Sequence, residues 1–271
     1  MNDAERKQHI QKTFNTVAEG YGGAPQQFFT LAAARLPEIF ALRGDEQVLD
    51  VACGTGIAAC ALAPHLPRGR VTGLDFSAGM LAQAHHNVRT RALRNIDFVE
   101  MDMQAMTLPE RRFDAANCSF GLFFVSDMRA QLTHIATKVK SGGAVVCNAF
   151  FDTSFSPNVD LFLQRIKDYG IEPPEFSWKR VGSEDKFAAL YRAAELLNVN
   201  TMRADVSYML ADANAWWDVV WYAGFRGLVS QLPPDKLEQF KKDHLADIQA
   251  LDQGDGIPMN VQIVYAKGAV A

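Results

Sequence analysis

A turn rich in glycine follows a short apolar run near residue 50, and an acidic residue stands directly before it. Val48 and Leu49 lead into Asp50, and Gly54 and Gly56 follow. A buried strand that ends in a turn with few side chains leaves backbone N–H groups free at the start of the next helix, where a nucleotide-like ligand can approach closely. Because Asp50 adds a negative charge before this turn, the pattern favours a cationic ligand over a pyrophosphate.

Two further carboxylates stand where later apolar runs end. Asp75 comes about nineteen residues after Gly56, which is the spacing at which an acidic residue binds a ribose diol. Asp102 ends the next apolar run, where a carboxylate can accept a hydrogen bond from an exocyclic adenine amine. The three carboxylates together predict a cofactor that contains a nucleoside.

These residues must be positioned by alternating strands and helices. We predict strands over 48–51, 70–75, 96–101, 113–119 and 144–150, with helices over 57–66, 78–90 and 129–139 between them. Such alternation is typical of a parallel sheet covered by helices on both faces. Ligands of these sheets bind beyond the carboxyl ends of the strands, where the strand order reverses. Asp50, Asp75 and Asp102 all fall at such ends.

The flanking segments predict a cap and a cover around this core. Before it, helical spacing predicts two helices, the second over 26–42. After Phe151, a stretch rich in Pro, Phe and Ser precedes predicted helices over 186–197, 215–231 and 236–252 and strands over 201–209 and 260–266. We therefore predict a single domain with a helical cap (1–45), a cofactor-binding core (46–150), a sheet-completing helical cover (151–257) and a final strand (258–271).

Composition narrows the class of protein. The 271 residues are 48% hydrophobic and 21% charged, with a net charge of −4, so the chain has no overall attraction to nucleic acid or anionic membranes. Its four cysteines form no C-x-x-C pair, which argues against a zinc or thioredoxin-type site, and we predict no metal. Neither a secretory signal nor a membrane span is visible, so the predicted location is cytoplasmic.

The motifs, taken in order, resemble those of the class I S-adenosylmethionine-dependent methyltransferases, within them the small-molecule group like the ubiquinone/menaquinone-biosynthesis enzymes. Residues 48–56, 73–81, 102–103 and 113–120 resemble four successive family motifs. Ala52 stands where the first glycine often stands, and Ser141 where many relatives carry proline. The resemblance implies an α/β fold, Rossmann-like and doubly wound, with a mostly parallel seven-stranded sheet, N-terminal helices and an inserted helical cover. It also implies S-adenosylmethionine as the cofactor.

The resemblance further implies roles for particular residues. The methionine moiety would lie against Asp50 and the backbone of Ala52, Cys53 and Gly54, and the ribose against Asp75. Phe76 and Met80 would pack on the adenine, whose edge Asp102 and Met103 would bind; Cys118 and Ser119 would line the channel near the methionine, and Tyr21 would close the pocket.

A dense aromatic segment in the predicted cover indicates the chemical class of the molecule that accepts the methyl group. We predict a small, largely apolar or aromatic substrate, walled by Phe151, Trp217, Trp221 and Tyr222. Methylation at oxygen or carbon is favoured and nitrogen stays open. Because a sulfonium is already activated, positioning for in-line displacement can supply much of the catalysis. No catalytic residue is assigned, although a general base would assist a hydroxyl acceptor, and the candidates are His9, His134, Asp152 and Tyr222.

Three alternatives stay open from the sequence. The glycine turn also fits an NAD(P)-dependent oxidoreductase, although no Tyr is followed four residues later by Lys, the pair of short-chain dehydrogenases. A non-catalytic S-adenosylmethionine-binding protein would share the motifs. A methyltransferase of RNA or protein is disfavoured by the net charge. The expected partner is a small-molecule substrate, without nucleic acid, and the sequence is compatible with a homodimer.

Overall fold

A seven-stranded sheet forms the centre of the computed structural model, which describes residues 3–271. The strands are β1 (Gln47–Val51), β2 (Arg70–Asp75), β3 (Ile96–Glu100), β4 (Phe113–Ser119), β5 (Val139–Phe150), β6 (Leu197–Asp205), β7 (Tyr208–Leu210), β8 (Ile257–Met259) and β9 (Gln262–Ala269). Their order in the sheet is β3-β2-β1-β4-β5-β9-β6, and β7 and β8 pair separately. Only β9 runs antiparallel to its neighbours in this sheet.

The topology explains both the apolar runs and the position of the ligand cleft. Val48, Leu49 and Val51 of β1 are completely buried because helices cover both faces of the sheet, as is usual for parallel strands. The chain passes outward from β1 to β3 and then returns to β4 on the other side of β1. A crevice opens where the order reverses, beyond the carboxyl ends of β1 and β4. The predicted doubly wound, mostly parallel sheet is confirmed.

Eleven α-helices are found within residues 3–271. They are α1 (Asp3–Val17), α2 (Phe28–Ala33), α3 (Leu36–Phe40), α4 (Ile57–Leu62), α5 (Ala78–Thr90), α6 (Met128–Thr137), α7 (Asn158–Asp168), α8 (Glu184–Ala193), α9 (Ala213–Trp221), α10 (Arg226–Val229) and α11 (Pro234–Gln249). Helices α4 and α5 connect the parallel strands β1, β2 and β3, and α6 connects β4 and β5. No helix in the described part of the chain is long and apolar enough to cross a membrane.

Several helical segments differ from the prediction, and the predicted helix over 215–231 is divided into α9 and α10. The expected helix over 26–42 is broken into α2 and α3, because Pro37 lacks the N–H that a continuous helix needs and instead begins α3. Helix α7 lies in the stretch rich in Pro, Phe and Ser, where none was predicted. Its buried Val159, Phe162 and Ile166 recur at helical spacing, a signal that the surrounding loop composition obscured.

The N-terminal cap is held in place by the far half of the chain. Tyr208 donates its hydroxyl hydrogen to the Pro25 carbonyl oxygen (2.6 Å), and Tyr265 does the same to Ala32 (3.0 Å). Lys267 on β9 donates to the carbonyl of Ile39 (2.7 Å). The cap, the sheet and the C-terminal half therefore enclose the crevice together.

Candidate active site

Three adjoining cavities of about 60, 80 and 60 Å³ occupy the crevice, and Ala52 borders all of them. The inner cavity lies at Asp50 and Thr55, the middle cavity at Met80 and Ser119, and the outer cavity at Asp102. Ala52 adopts a left-handed backbone with φ of 53°, which explains why a glycine suits this position. The turn thus presents backbone rather than bulky side chains to the crevice.

The inner cavity contains buried polar atoms without partners. Asp50 is 1% exposed, and its Oδ1 accepts a hydrogen bond from the Asn117 amide (2.7 Å). Among residues 3–271, nothing pairs with Asp50 Oδ2 or with the Thr55 hydroxyl. Burial raises the pKa of Asp50 to about 7, although the hydrogen bond from Asn117 opposes the shift. An unpaired buried carboxylate oxygen is costly without a donor or cation, so this end of the crevice suits a positively charged group.

Asp75 fixes the glycine turn beside the next strand. Its Oδ2 accepts from the backbone N–H of Gly54 (2.9 Å) and its Oδ1 from that of Ser77 (2.9 Å). Burial raises the pKa of Asp75, and these backbone hydrogen bonds oppose the shift. Each carboxylate oxygen has a second lone pair, so Asp75 can still accept hydrogen bonds from a diol in the outer or middle cavity, both of which it lines.

The outer cavity is lined by Phe76, Asp102 and Met103. Asp102 Oδ1 accepts from the Gln104 backbone N–H (2.9 Å), and its Oδ2 forms an ion pair with Lys7 of α1. The carboxylate predicted for an adenine amine is therefore also bound by the N-terminal helix.

Helix α1 lies across the crevice and is attached on both sides of it. Gln11 donates to the carbonyl of Phe76 (2.6 Å), while Arg6 donates to the carbonyl of Phe124 (2.5 Å) on the opposite side. After α1, Tyr21 lines the inner and middle cavities and stacks on Phe29. Burial raises the pKa of the Tyr21 hydroxyl, so Tyr21 stays neutral in this position.

The geometry fits S-adenosylmethionine, the cofactor that the sequence resemblance implies. Asp50 Oδ2 and the Thr55 hydroxyl are unpartnered within the described chain. Asp50 Oδ2 can accept a hydrogen bond from an ammonium, and the Thr55 hydroxyl can donate one to a carboxylate. These are the two charged groups of an amino acid. A Cβ added to Gly54 would meet nothing within 4 Å, so its backbone faces open space. The donors and acceptors along the crevice are thus compatible with the predicted order of methionine, ribose and adenine.

All but one of the residues predicted for the cofactor line these cavities. The exception is Cys118, whose side chain is completely buried beside Cys147 and Tyr191. Successive side chains of a strand point to opposite faces, so Ser119 lines the cavities and Cys118 faces the core. The prediction that Cys118 lines the channel is therefore corrected, and the roles of the other residues stay predictions.

The residues predicted to wall the substrate lie elsewhere. Phe151 is covered by the guanidinium of Arg203 (4.5 Å from the ring centre), and Trp221 by that of Arg226 (3.2 Å). Trp217 packs on Phe240 of α11. Phe151, Trp217 and Trp221 make these packing contacts and line none of the three cavities. Tyr222 lies against Gly20, and the other candidate bases, His9, His134 and Asp152, line none of the three cavities.

A different set of aromatic rings continues from the inner cavity. Phe29 and Phe120 line that cavity and contact each other (ring centres 5.1 Å apart). Phe120 contacts Phe150 (4.6 Å), which in turn contacts Phe155 (4.8 Å) and Trp178 (5.8 Å). We call this set, Phe29, Phe120, Phe150, Phe155 and Trp178, the aromatic wall. It extends from the cofactor cleft into the cover.

A polar network that the sequence analysis missed crosses the strand ends beside this wall. Besides holding Asp50, Asn117 accepts from the Ser119 hydroxyl (3.2 Å), which accepts from the Asn148 amide (3.0 Å). Asn148 Oδ1 accepts from the backbone N–H of Phe120 (3.1 Å), which has a left-handed φ of 56°. Asparagines inside otherwise apolar strands were the available signal. The network connects the methionine end of the crevice to the aromatic wall.

Comparison with known proteins agrees with this geometry. Residues 48–143 match a family described as a methyltransferase domain. The chain is 30% identical to the aklanonic acid methyltransferase DauC of Streptomyces sp. strain C5 over 65% of this chain and 76% of that protein. It is 31% identical to a demethylmenaquinone methyltransferase of Geobacillus stearothermophilus over 57% and 72%. The fold is similar to the crystal structure of YcgJ from Bacillus subtilis, with a TM-score of 0.58, 19% identity and coverage of 88% and 98%.

Proposed function

This chain belongs to the S-adenosylmethionine-dependent methyltransferases, and we propose that it methylates an oxygen or carbon atom of a small, flat, largely apolar acceptor. The observation that carries the proposal is the aromatic wall, which begins at the methionine end of the cleft with Phe29 and Phe120. Aromatic side chains favour offset stacking and edge contacts with flat ligands. Two relatives act on a quinone and on an organic acid by their names, which supports an acceptor of this kind.

The chain's own residues would hold and orient the reactants. When bound, S-adenosylmethionine supplies an electrophilic methyl group on a positively charged sulfur. Asp50 and Thr55 would hold the amino acid end, and Asp75 the ribose. Phe120, beside Ser119, would set the orientation of a flat acceptor toward the middle cavity. Such alignment can lower the barrier by about 7–11 kcal/mol when the reacting atoms are held about 3 Å apart.

This site would promote methyl transfer mainly by positioning the reactants and excluding water, rather than through a dedicated general base. Tyr21 and Phe29 close the inner cavity on the side of the cap, which keeps bulk water from the sulfonium. Ser119 is a hydroxyl within the cavities, and its hydrogen is already donated to Asn117. A hydroxyl acceptor would therefore react as its anion, after losing its proton to solvent before it enters the cavity.

The experiment incubates the protein with S-adenosylmethionine and a set of quinols, phenols and aromatic amines. We expect S-adenosylhomocysteine together with an acceptor that is 14 mass units heavier, the mass of CH₂, for at least one quinol or phenol, detected by mass spectrometry. Binding of S-adenosylhomocysteine without methylation of any acceptor would contradict the acceptor class but not the cofactor.

A matched pair of variants tests the cofactor site separately. Asp75→Asn should weaken S-adenosylhomocysteine binding about tenfold or more, because charge-assisted hydrogen bonds contribute about 1.5–3 kcal/mol. Asp97→Asn changes a carboxylate exposed on β3 and paired with Arg70, and it should leave the affinity unchanged. Equal affinities of the two variants in titration calorimetry would refute the ribose role of Asp75.

A further inference from the structure

Strand β6 forms one edge of the seven-stranded sheet, and within residues 3–271 only β9 pairs with it. Six of its nine residues are exposed, and it contains neither proline nor lysine, which commonly block the addition of another strand to an edge. Its register shift against β9 lies between Leu197 and Asn200, so residues 200–205 form a regular edge. Such an edge is a template for pairing with another chain.

The hydrogen bonds of β9 show which backbone groups of β6 are free. Phe151, at the end of β5, donates its backbone N–H to the Gln262 carbonyl (2.8 Å), whereas Val206, just after β6, donates to Val261 (2.9 Å). Successive residues of β9 therefore bond alternately to β5 and to β6, as in any antiparallel ladder. The residues of β6 whose N–H and C=O groups point away from β9 are Thr201, Arg203 and Asp205.

Both charged side chains at this edge are already oriented within the single chain. Arg203 Nε pairs with Glu184 of α8 (3.4 Å). Asp205 Oδ1 accepts a hydrogen bond from the backbone N–H of Ser207 (2.8 Å). Arg203 and Asp205 nevertheless stay exposed, so each can pair with a further charge while losing little additional side-chain freedom.

A second copy of the chain matches this edge in one register. When two β6 strands run antiparallel with Ala204 of each copy at the two-fold axis, Arg203 of one copy lies opposite Asp205 of the other, and this pair occurs twice. Opposite charges that face each other across two strands stabilise the ladder. In the same register Met202, which is 38% exposed, lies opposite Val206 of the second copy. The edge is thus self-complementary in charge and in apolar contact.

The neighbouring registers lack this match. With Arg203 at the two-fold axis, two guanidinium groups would face each other, and with Asp205 there, two carboxylates would. Like charges directly opposite are destabilising. With Met202 at the axis, Arg203 and Asp205 would both face uncharged residues. The charge pattern therefore selects the register that is centred on Ala204.

The helices beside β6 leave room for this pairing. Helix α8 packs on both β6 and β9, so it lies between them on one face of the sheet. Because neighbouring strands lie about 4.8 Å apart, the α8 helices of the two copies would be about 10 Å apart, which is within the range of helix packing. On the opposite face, Tyr265 of β9 bonds to α2, so that helix lies inward of β6.

We propose that β6 pairs antiparallel with β6 of a second copy, with Ala204 at the two-fold axis, and that the chain forms a homodimer in this way. The pairing joins two seven-stranded sheets into one. Strands β5 and β9 separate β6 from β4, so each cofactor cleft is complete within one copy. Dissociation of the dimer should therefore leave the affinity for S-adenosylhomocysteine unchanged.

Sedimentation velocity tests the charge pairing. The wild type should sediment as a dimer of the 30.0 kDa chain at protein concentrations up to about 100 μM. Asp205→Arg should raise the dimer dissociation constant about tenfold or more, because it places like charges opposite each other twice. Combining it with Arg203→Asp restores opposite charges and should restore the dimer. Glu110→Arg makes the same change of charge at an exposed position before β4 and should have no effect.

A cross-link tests the register. Ala204→Cys places two thiols opposite each other at the axis, within the Cα separation that a disulfide requires, so mild oxidation should give a covalent dimer. Asn200→Cys, on the same face of β6, should give none. The four native cysteines are buried.

Three results would overturn the proposal. The first is a wild type that stays monomeric throughout the concentration range. The second is a dimer that Asp205→Arg leaves intact. The third is a covalent dimer that forms equally with Asn200→Cys. Unchanged S-adenosylhomocysteine affinity of each variant in calorimetry shows that a loss of dimer is not a loss of folding.

Discussion

Asp50 carries an unpaired carboxylate oxygen at the inner end of the cleft, and the surrounding groups determine its charge. Burial raises its pKa to about 7, the amide of Asn117 and a backbone N–H oppose that shift, and the nearby Asp75 adds to it. Cys53 also faces this carboxylate, and its pKa is raised by burial, so it is a neutral thiol. Asp50 therefore changes protonation close to neutral pH, while the ammonium that it would bind requires the carboxylate.

Cofactor affinity should consequently depend on pH. Below about pH 7 the free protein must release a proton from Asp50 before pairing, so the affinity for S-adenosylhomocysteine should fall by up to tenfold per pH unit. Between pH 7 and 8 the affinity should be nearly constant. Calorimetry between pH 5.5 and 8 measures this directly, and a flat profile would exclude the role of Asp50.

Asn117→Leu should move the fall in affinity to higher pH, because Asp50 would lose a hydrogen-bond donor that stabilises its charged form. Asp50→Asn removes the titrating carboxylate, so it should abolish the pH dependence of S-adenosylhomocysteine affinity that is attributed to Asp50. Ser119→Ala removes a group that contacts Asn117 but not Asp50, so it should shift the profile less than Asn117→Leu.

At the scale of elements, helix α1 covers the outer and middle cavities of the cleft. The three cavities measure about 60, 80 and 60 Å³, whereas ligand pockets usually have about 300–1,000 Å³. Helix α1 is attached through polar side chains, among them Lys7 with Asp102 and Asn15 with Gly79 (3.0 Å). Such contacts exchange more readily than a packed core, so cofactor exchange is expected to require outward movement of α1.

Lys7→Met should accelerate both association and dissociation of S-adenosylhomocysteine about two- to fivefold, since a partly exposed ion pair contributes about 0.2–1 kcal/mol. The equilibrium affinity should change less than the rates. Lys12→Met is the control on the same helix, because Lys12 is exposed. Stopped-flow fluorescence provides the rates, and identical rates in the two variants would argue against Lys7 as a restraint.

At the scale of the whole molecule, the C-terminal half is bonded to the cap and shares one buried core with the central sheet. His244 on α11 accepts the Trp216 indole N–H from α9 (2.8 Å) and is surrounded by Phe162 and Phe240. Burial lowers the pKa of His244 to about 4, and the charge of Arg165 adds to the shift. Histidine in the unfolded chain has its ordinary pKa near 6.5, so the unfolded state binds more protons between these values.

Stability should therefore fall as the pH decreases from 6.5 toward 4. His244 should contribute a loss of about 2 kcal/mol in the free energy of unfolding between pH 7.5 and 5.0. His244→Gln, which can still accept from Trp216, should reduce this loss, and His65→Gln at an exposed histidine should not. Urea unfolding at the two pH values makes the comparison, and equal losses in both variants would contradict the assignment.

The local patterns of the chain determined the sheet, the glycine turn and the carboxylates at the strand ends. Alternating strands and helices, with Asp50, Asp75 and Asp102 at their ends, are recognisable because they depend on neighbours within a few residues. Helix α7 was missed although its periodicity was present, because proline and serine around it favoured a loop. The same short-range reasoning placed Cys118 in the cleft, because it did not distinguish which of the two successive strand residues, Cys118 or Ser119, faces the cleft.

Only the tertiary structure decided which side chains meet in the crevice. Lys7 reaches Asp102, Asn117 reaches Asp50, and Phe120 meets Phe150 across separations that no local pattern encodes. Trp217 and Trp221 of α9 were expected at the substrate, yet Trp217 packs on Phe240 of α11 and Trp221 stacks on Trp217, while Trp178 continues the aromatic wall. The reason is physical: periodicity indicates that a side chain is buried, whereas its partner depends on how distant elements pack.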